Sequence, residues 1–298
     1  MDLFLFPRDD YAFLDSGKEA RLERFGSYIL NRPAPQAVWP PERPELWRRA
    51  DATFTRGEGN DGQWAGPRPL PPVWTIRMGP FLFELKATSF GHVGLFPEHA
   101  VHGEWLADQI RRVGSGCRVL HLFAYTGALT LAAAAAGASV CHVDAVEDIV
   151  RWARRNAERS GLSDRPIRWI VDDATKFVAR EGRRRRQYEG VILDPPTYGK
   201  GPGGERWRLE EGIVPLLDQI RALMADRPRF LLFTCHTPGF SPPVLENLMR
   251  PWRQTFGGHL ESGHMRLAHP HLGCSLPAGV FVRWRASTKT TSPVFITC

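Results

Sequence analysis

From about Val101 the chain alternates short, nearly unbroken apolar runs with longer helix-forming stretches, and that alternation predicts a parallel sheet covered by helices. CRVLHLFA, ASVCHVDA, IRWIVDDA, YEGVILDPP and RFLLFTC read as strands. GALTLAAAAAGA, VEDIVRWARRNAERSGL, TKFVAREG and WRLEEGIVPLLDQIRALMA read as the helices between them. The first has strong Ala and Leu propensity, and the second stops at Gly161. SPPVLENLMRPW reads as a further helix, and HMRLAHP with GVFVRWR as a closing antiparallel pair. The first hundred residues differ: they are rich in Pro, Trp and Gly, with RFGSYIL, VWTIRMG and FLFELKA as strands between turn residues. Asp51 to Pro72, dense in Gly and Pro, reads as a loop linking two parts of this region. The expected organisation is a β-rich region over 1–100, an α/β domain over 101–285 and a tail over 286–298, with no internal repeat.

Composition narrows the partners. The 298 residues are 43% hydrophobic, enough for a real core, and carry a formal charge of +7. With a pI near 9.5, that balance favours a polyanionic partner, because Lys and Arg neutralise phosphates and release counterions. Cys117, Cys141, Cys235, Cys274 and Cys298 are an odd number without a CxxC, so neither a disulfide framework nor a metal site is indicated. Cys274 lies near His269 and His271, but no spacing there supports a metal. The N-terminal MDLFLFPRDDYAF lacks the pattern of a signal peptide, and LTLAAAAAGA is too short to span a bilayer. A cytoplasmic protein with no membrane association is expected.

The candidate chemistry sits at strand ends. LFAYTGALT, from Leu122 to Thr130, is a strand, a one-glycine turn and a helix start, a place where turn amides and the helix dipole face a ligand. One glycine is too few for a dinucleotide fingerprint but suits a nucleoside bearing a sulfonium and a carboxylate. Asp144 ends the next strand, where an acid accepts hydrogen bonds from ribose hydroxyls, and Asp173 ends the third, within reach of an adenine amino group. The alternative for both is a helix N-cap, a favoured role for Asp.

LFAYTG, VDA, DDA and DPPTYG, in this order, resemble the class I S-adenosylmethionine-dependent methyltransferases, and more narrowly the family of bacterial large-subunit ribosomal RNA cytosine-5 methyltransferases. The resemblance runs from about Pro71 to Arg285. It implies a Rossmann-like sheet of seven strands, mostly parallel with the last antiparallel, preceded by the smaller β-rich region. It also implies S-adenosylmethionine as cofactor, with Phe123, Ala124, Tyr125, Thr126 and Gly127 in the cofactor turn, Asp144 and Ala145 at the ribose, and Asp173 and Ala174 at the adenine. VGLFPEHA resembles the family's segment that lies against the cofactor, which makes Phe96, Glu98 and His99 its neighbours.

ILDPPTYGKG, residues 192–201, then acquires a function. Prolines lack an N–H, so Pro195 and Pro196 end the strand and expose carbonyls, with Asp194 between cofactor and substrate. Thr197 separates the prolines from Tyr198, unlike the DPP-aromatic form of amino methyltransferases, and Tyr198 is placed to stack on a base; the alternative is a packed turn tyrosine. Carbon-5 methylation requires a thiolate to add to carbon-6, and Cys235 in FLLFTCHTPG is the candidate nucleophile by resemblance. Its alternative is a small apolar filler. RNA contacts are expected from Arg183–Arg186, Arg206 and Arg208 or the N-terminal region. The leading expectation is therefore methylation of carbon-5 of cytosine in RNA, probed as single-stranded or flipped bases. A protein side chain or small-molecule acceptor, and a non-catalytic RNA-binding protein of the same fold, are the competing readings.

Overall fold

The computed structural model describes residues 10–57, 61–201, 203–268 and 275–287; His269, His271, Cys274, Cys298 and most of the expected tail lie outside them. The N-terminal strands are β1 (Tyr11–Gly17), β2 (Ala20–Phe25) and β3 (Tyr28–Pro33), then, after the short helix α1 (Pro44–Trp47), β4 (Ala52–Arg56) and β5 (Gly62–Ala65). They form one sheet in sequential order, and β6 (Trp74–Met78) with β7 (Phe81–Leu85) makes a separate hairpin. Two expectations are corrected here. RFGSYIL is not one strand: Gly26, at φ +67°, and Ser27 turn β2 back into β3, a left-handed turn position that suits glycine. The Gly- and Pro-rich stretch after Asp51 holds β4 and β5, whose brief alternation of buried and open positions leaves little apolar signal to read.

The second part is built on β8 (Arg118–Leu122), β9 (Ser139–Asp144), β10 (Ile167–Val171), β11 (Gly190–Leu193), β14 (Phe230–Cys235), β15 (His259–Ala268) and β16 (Ser275–Arg285). A two-stranded hairpin, β12 (Tyr198–Lys200) and β13 (Arg206–Arg208), stands off it. The seven strands are ordered β10-β9-β8-β11-β14-β16-β15, all parallel except β16, which runs antiparallel between β14 and β15. This is the α/β architecture expected from the alternation, with the β-rich region ahead of it. Every residue of β11 and β14 is buried, as central parallel strands covered on both faces require.

The helices are α2 (Ala100–Val113), α3 (Ala128–Ala135), α4 (Glu147–Arg159), α5 (Ala174–Arg183), α6 (Leu209–Ala222), α7 (Pro242–Leu248) and α8 (Arg250–Phe256). One core joins Phe177, Ile213, Leu217, Leu245 and Trp252 to Leu231 and Phe233 of β14. The opposite core joins Leu106, Ile110, Leu129 and Ala133 to Leu232. SPPVLENLMRPW divides into α7 and α8, because Pro251 sits in a first turn and supplies no N–H to continue the earlier helix. Likewise Trp207 and Arg208 belong to β13, and the helix expected to include them starts at Leu209. Among the described residues no helix is long and apolar enough to cross a membrane.

The N-terminal part grips the second through α4. Trp152 Nε1 donates to the Glu84 carbonyl at 2.8 Å, Asn156 Oδ1 accepts the Glu84 N–H at 2.8 Å, and Arg155 clasps the Glu84 carboxylate. Asn156 Nδ2 also donates to the Thr126 carbonyl at 2.9 Å, which ties the β6–β7 hairpin to the turn after β8.

Candidate active site at the strand ends

The β8–α3 turn is held in a conformation its residues would not choose alone. Phe123 and Tyr125 have φ of 54° and 48°, and Gly127 has φ of 88°. Left-handed backbone at a non-glycine residue costs about 1–3 kcal/mol and persists only where surroundings enforce it. The surroundings are specific: Ala124 N–H donates to Val143 O at 3.1 Å, Tyr125 N–H to Asp144 Oδ2 at 2.9 Å, and the Thr126 hydroxyl to Gly94 O at 2.6 Å. Asp144 Oδ1 accepts the Val146 N–H at 3.1 Å. Burial raises the Asp144 pKa, and the backbone amides oppose that rise. The carboxylate is thus held by backbone amides of Tyr125, Ala145 and Val146, and its two oxygens offer more lone pairs than these use. Ala145 follows on the same loop, half-buried.

Gly94 is the keystone of the neighbouring segment. Its φ is +96°, and a Cβ there would lie 2.2 Å from Trp152 Cζ2. Gly94→Ala is expected to destabilise the protein by about 2–4 kcal/mol through clash and backbone strain. It should also weaken cofactor binding, because the Gly94 carbonyl holds Thr126. Thermal unfolding with and without cofactor checks both effects.

Asp173 caps α5, its Oδ1 accepting the Lys176 N–H at 2.9 Å, so the N-cap role is filled. Ala174 is buried in the first turn behind it. A cleft is lined by the turn residues Phe123, Ala124, Tyr125, Thr126 and Gly127 together with Phe96, His99, His121 and Asp194. A larger surface groove, about 590 Å³, lies elsewhere, between Glu246, Arg250 and Leu260.

Opposite the turn, three segments meet. His99 Nε2 is 3.2 Å from Asp194 Oδ2, His236 Nε2 is 3.6 Å from Asp194 Oδ1, and the two Nε2 atoms are 3.4 Å apart. The Thr234 hydroxyl donates to Asp194 Oδ1 at 2.8 Å. Burial opposes charge on Asp194, but His236 and then His99 override it and hold the carboxyl well below its usual range. Burial likewise would lower His236, yet Asp194 and Glu98 hold it up at about 9. Buried His121 beside them is pushed down to about 3, chiefly by desolvation. The Phe96 ring packs against Tyr125 at 5.4 Å and His236 at 5.6 Å, between the turn and the imidazoles.

The rest of DPPTYG departs from the cleft. Pro195 is buried, and the Pro196 carbonyl accepts the Trp207 indole N–H at 2.7 Å, so this carbonyl is occupied within the protein. Tyr198 is 64% exposed on β12, with the Arg208 guanidinium 5.5 Å from its ring centroid. Cys235 is 1% exposed and belongs to the core of Leu231 and Phe233. Burial raises its pKa. His236 points the other way, into the site, as the alternation of side chains along a strand requires.

Strand-end acids, a strained nucleoside-sized turn and this sheet order define a class I methyltransferase fold. A family model for S-adenosylmethionine-dependent methyltransferases matches residues 56–215, just over half of the chain, and the chain belongs to that family. Its cofactor is accordingly S-adenosylmethionine, and it is an enzyme of methyl transfer. The chain is 38% identical to an S-adenosylmethionine-dependent methyltransferase from Agrobacterium tumefaciens, with a TM-score of 0.89 over 93% of this chain and 91% of that one. A Streptococcus mutans chain superposes with a TM-score of 0.71 at 14% identity, over 93% and 75% of the two chains, a likeness of fold alone. Ribosomal RNA large subunit methyltransferase K/L of Shewanella frigidimarina is 30% identical over 145 residues, 48% of this chain and 20% of that protein. That of Magnetococcus marinus is 33% identical over 145 residues, 48% of this chain and 19% of that protein. The matched region spans only about a fifth of the length of these curated relatives.

Proposed function

We propose that this methyltransferase acts on RNA. The observation that carries the reading is the open Tyr198 ring under Arg208, on a hairpin that also bears Lys200 and Arg206. An exposed aromatic beside cations stacks a base and holds its phosphates. The +7 charge of the chain and the relatives named as ribosomal RNA methyltransferases support the same acceptor. In this reading Asp144 takes the ribose hydroxyls, Asp173 the adenine edge, and Phe96 closes over the cofactor. The base lies between Tyr198 and the His99–Asp194–His236 cluster, with a ring or ribose heteroatom as the methyl acceptor.

The burial of Cys235 favours a heteroatom over carbon-5, since the thiolate is the nucleophile and an apolar site suppresses it. Carbon-5 of cytosine is the second reading, favoured by the position of Cys235 at the end of β14, paired to the strand that delivers Asp194. Labelled S-adenosylmethionine with RNA from a strain lacking the protein, digested to nucleosides, decides between them. Label in RNA, with Cys235→Ala retaining activity within about threefold, is expected; a covalent route would lose several orders of magnitude on that change. No label in any nucleoside would remove RNA as acceptor.

A further inference from the structure

We infer that His99, Asp194 and His236 form a binding site for a first-row divalent transition-metal ion at the acceptor side of the cleft. Their ligand atoms all lie within 4.8 Å of one another. The closest approaches are 3.2 Å from His99 Nε2 to Asp194 Oδ2, 3.6 Å from His236 Nε2 to Asp194 Oδ1 and 3.4 Å between the two Nε2 atoms, so the imidazoles meet different oxygens of one carboxylate. With metal–ligand bonds of about 2.0–2.2 Å, tetrahedral ligand atoms lie roughly 3.3–3.6 Å apart, which is the separation of the two imidazole nitrogens. Within this network the imidazole–imidazole contact at 3.4 Å is the weak link as a hydrogen bond.

The outer groups are those such a site requires. The Thr234 hydroxyl fixes the Asp194 carboxylate at 2.8 Å. The Ala278 backbone hydrogen-bonds the His236 imidazole, the outer pairing that orients a ligating histidine, and Glu98, 3% exposed, brings its Oε1 within 3.8 Å of His236 Nδ1 as a nearby charge. Glu98 Oε2, like His99 Nδ1, is buried without a hydrogen-bond partner among the described residues. Two buried polar atoms without hydrogen-bond partners at one cluster suit a site that takes a further ligand.

Two imidazoles and one carboxylate suit zinc, iron, cobalt or manganese ions better than magnesium. Three protein ligands leave coordination positions open, the mark of a catalytic rather than structural site. His99 and Asp194 line the cleft, and His236, with its side chain 32% exposed, is the solvent-facing member. An acceptor hydroxyl or amine bound there loses its proton to solvent more readily. Its lone pair then forms the bond to the methyl carbon while the carbon–sulfur bond breaks and leaves its pair on sulfur. The site rests on the methyltransferase fold but not on RNA as acceptor.

Full-length protein without a polyhistidine tag is stripped with chelator and titrated with Co2+, reading visible d–d absorption and, after dialysis, bound metal by mass spectrometry. One equivalent is expected to bind. His236→Ala and Asp194→Asn should each weaken binding by at least about 100-fold, with S-adenosylmethionine affinity retained in His236→Ala. His236 is the partly exposed member, so its variant is expected to fold where His99→Ala would disturb the core. No stoichiometric Co2+ binding, or binding unchanged in both His236→Ala and Asp194→Asn, overturns the inference. No RNA enters the measurement, so its failure is distinct from failure of the RNA reading.

Discussion

Asp194→Ala is expected to lower methyl transfer by about 100- to 10,000-fold while leaving S-adenosylmethionine affinity within a few-fold. The carboxylate is the one group that touches both imidazoles and the Thr234 hydroxyl. Removing it frees His99 and His236 to rotate away from each other and strips the acceptor side of its negative charge. Losses of this size follow when a positioned acid–base or electrostatic group is removed. The cofactor turn is built by other contacts: Asp144, Gly94 and Asn156 hold it. A kcat loss with unchanged cofactor binding is therefore the signature. Isothermal titration with S-adenosylmethionine and single-turnover methyl transfer separate the two terms. A variant losing both equally would instead place Asp194 in cofactor binding.

The seven-stranded sheet was legible because its central strands are buried on both faces and appear as unbroken apolar runs such as VILD and FLLFTC. The strand–turn–helix after β8 was legible from one glycine, and the acids at successive strand ends from the pattern of the strands. The N-terminal strands were less so. β4 and β5 are half open and broken by glycine, so neither a two-residue period nor an apolar run stands out. The imidazole cluster could not be read from spacing, because His99 precedes α2, Asp194 follows β11 and His236 follows β14, brought together only by the sheet order. Asn156 gave no signal, and Gly94 only as part of VGLFPEHA; their work is in contacts to Trp152, Glu84 and Thr126. Cys235 is the instructive case. Leu231, Phe233 and Cys235 share one face of β14, so the period of two already pointed its thiol at the core, while a strand-end position pointed it at the substrate.

Asp144→Ala carries the other large effect: a loss of S-adenosylmethionine affinity of at least about 100-fold. Hydrogen bonds from ligand hydroxyls to a carboxylate contribute about 1.5–3 kcal/mol each, and two are expected from a ribose. The substitution also removes the acceptor of the Tyr125 N–H. That amide bond helps hold Tyr125 at φ 48° and, through the turn, Phe123 at φ 54°; without it the strain of the turn has less to oppose it. Asp144→Asn separates the two contributions. Its side-chain oxygen still accepts the amide, so the turn persists, but the charge is gone and one oxygen becomes a donor. An intermediate loss, about tenfold, is expected for Asn. Titration calorimetry reads the affinities, and the rise in unfolding temperature on adding cofactor should shrink in the same order. If Asn and Ala lose affinity equally, the charge alone matters and the turn tolerates its absence; if Asn matches the wild type, Asp144 serves the turn and not the ribose.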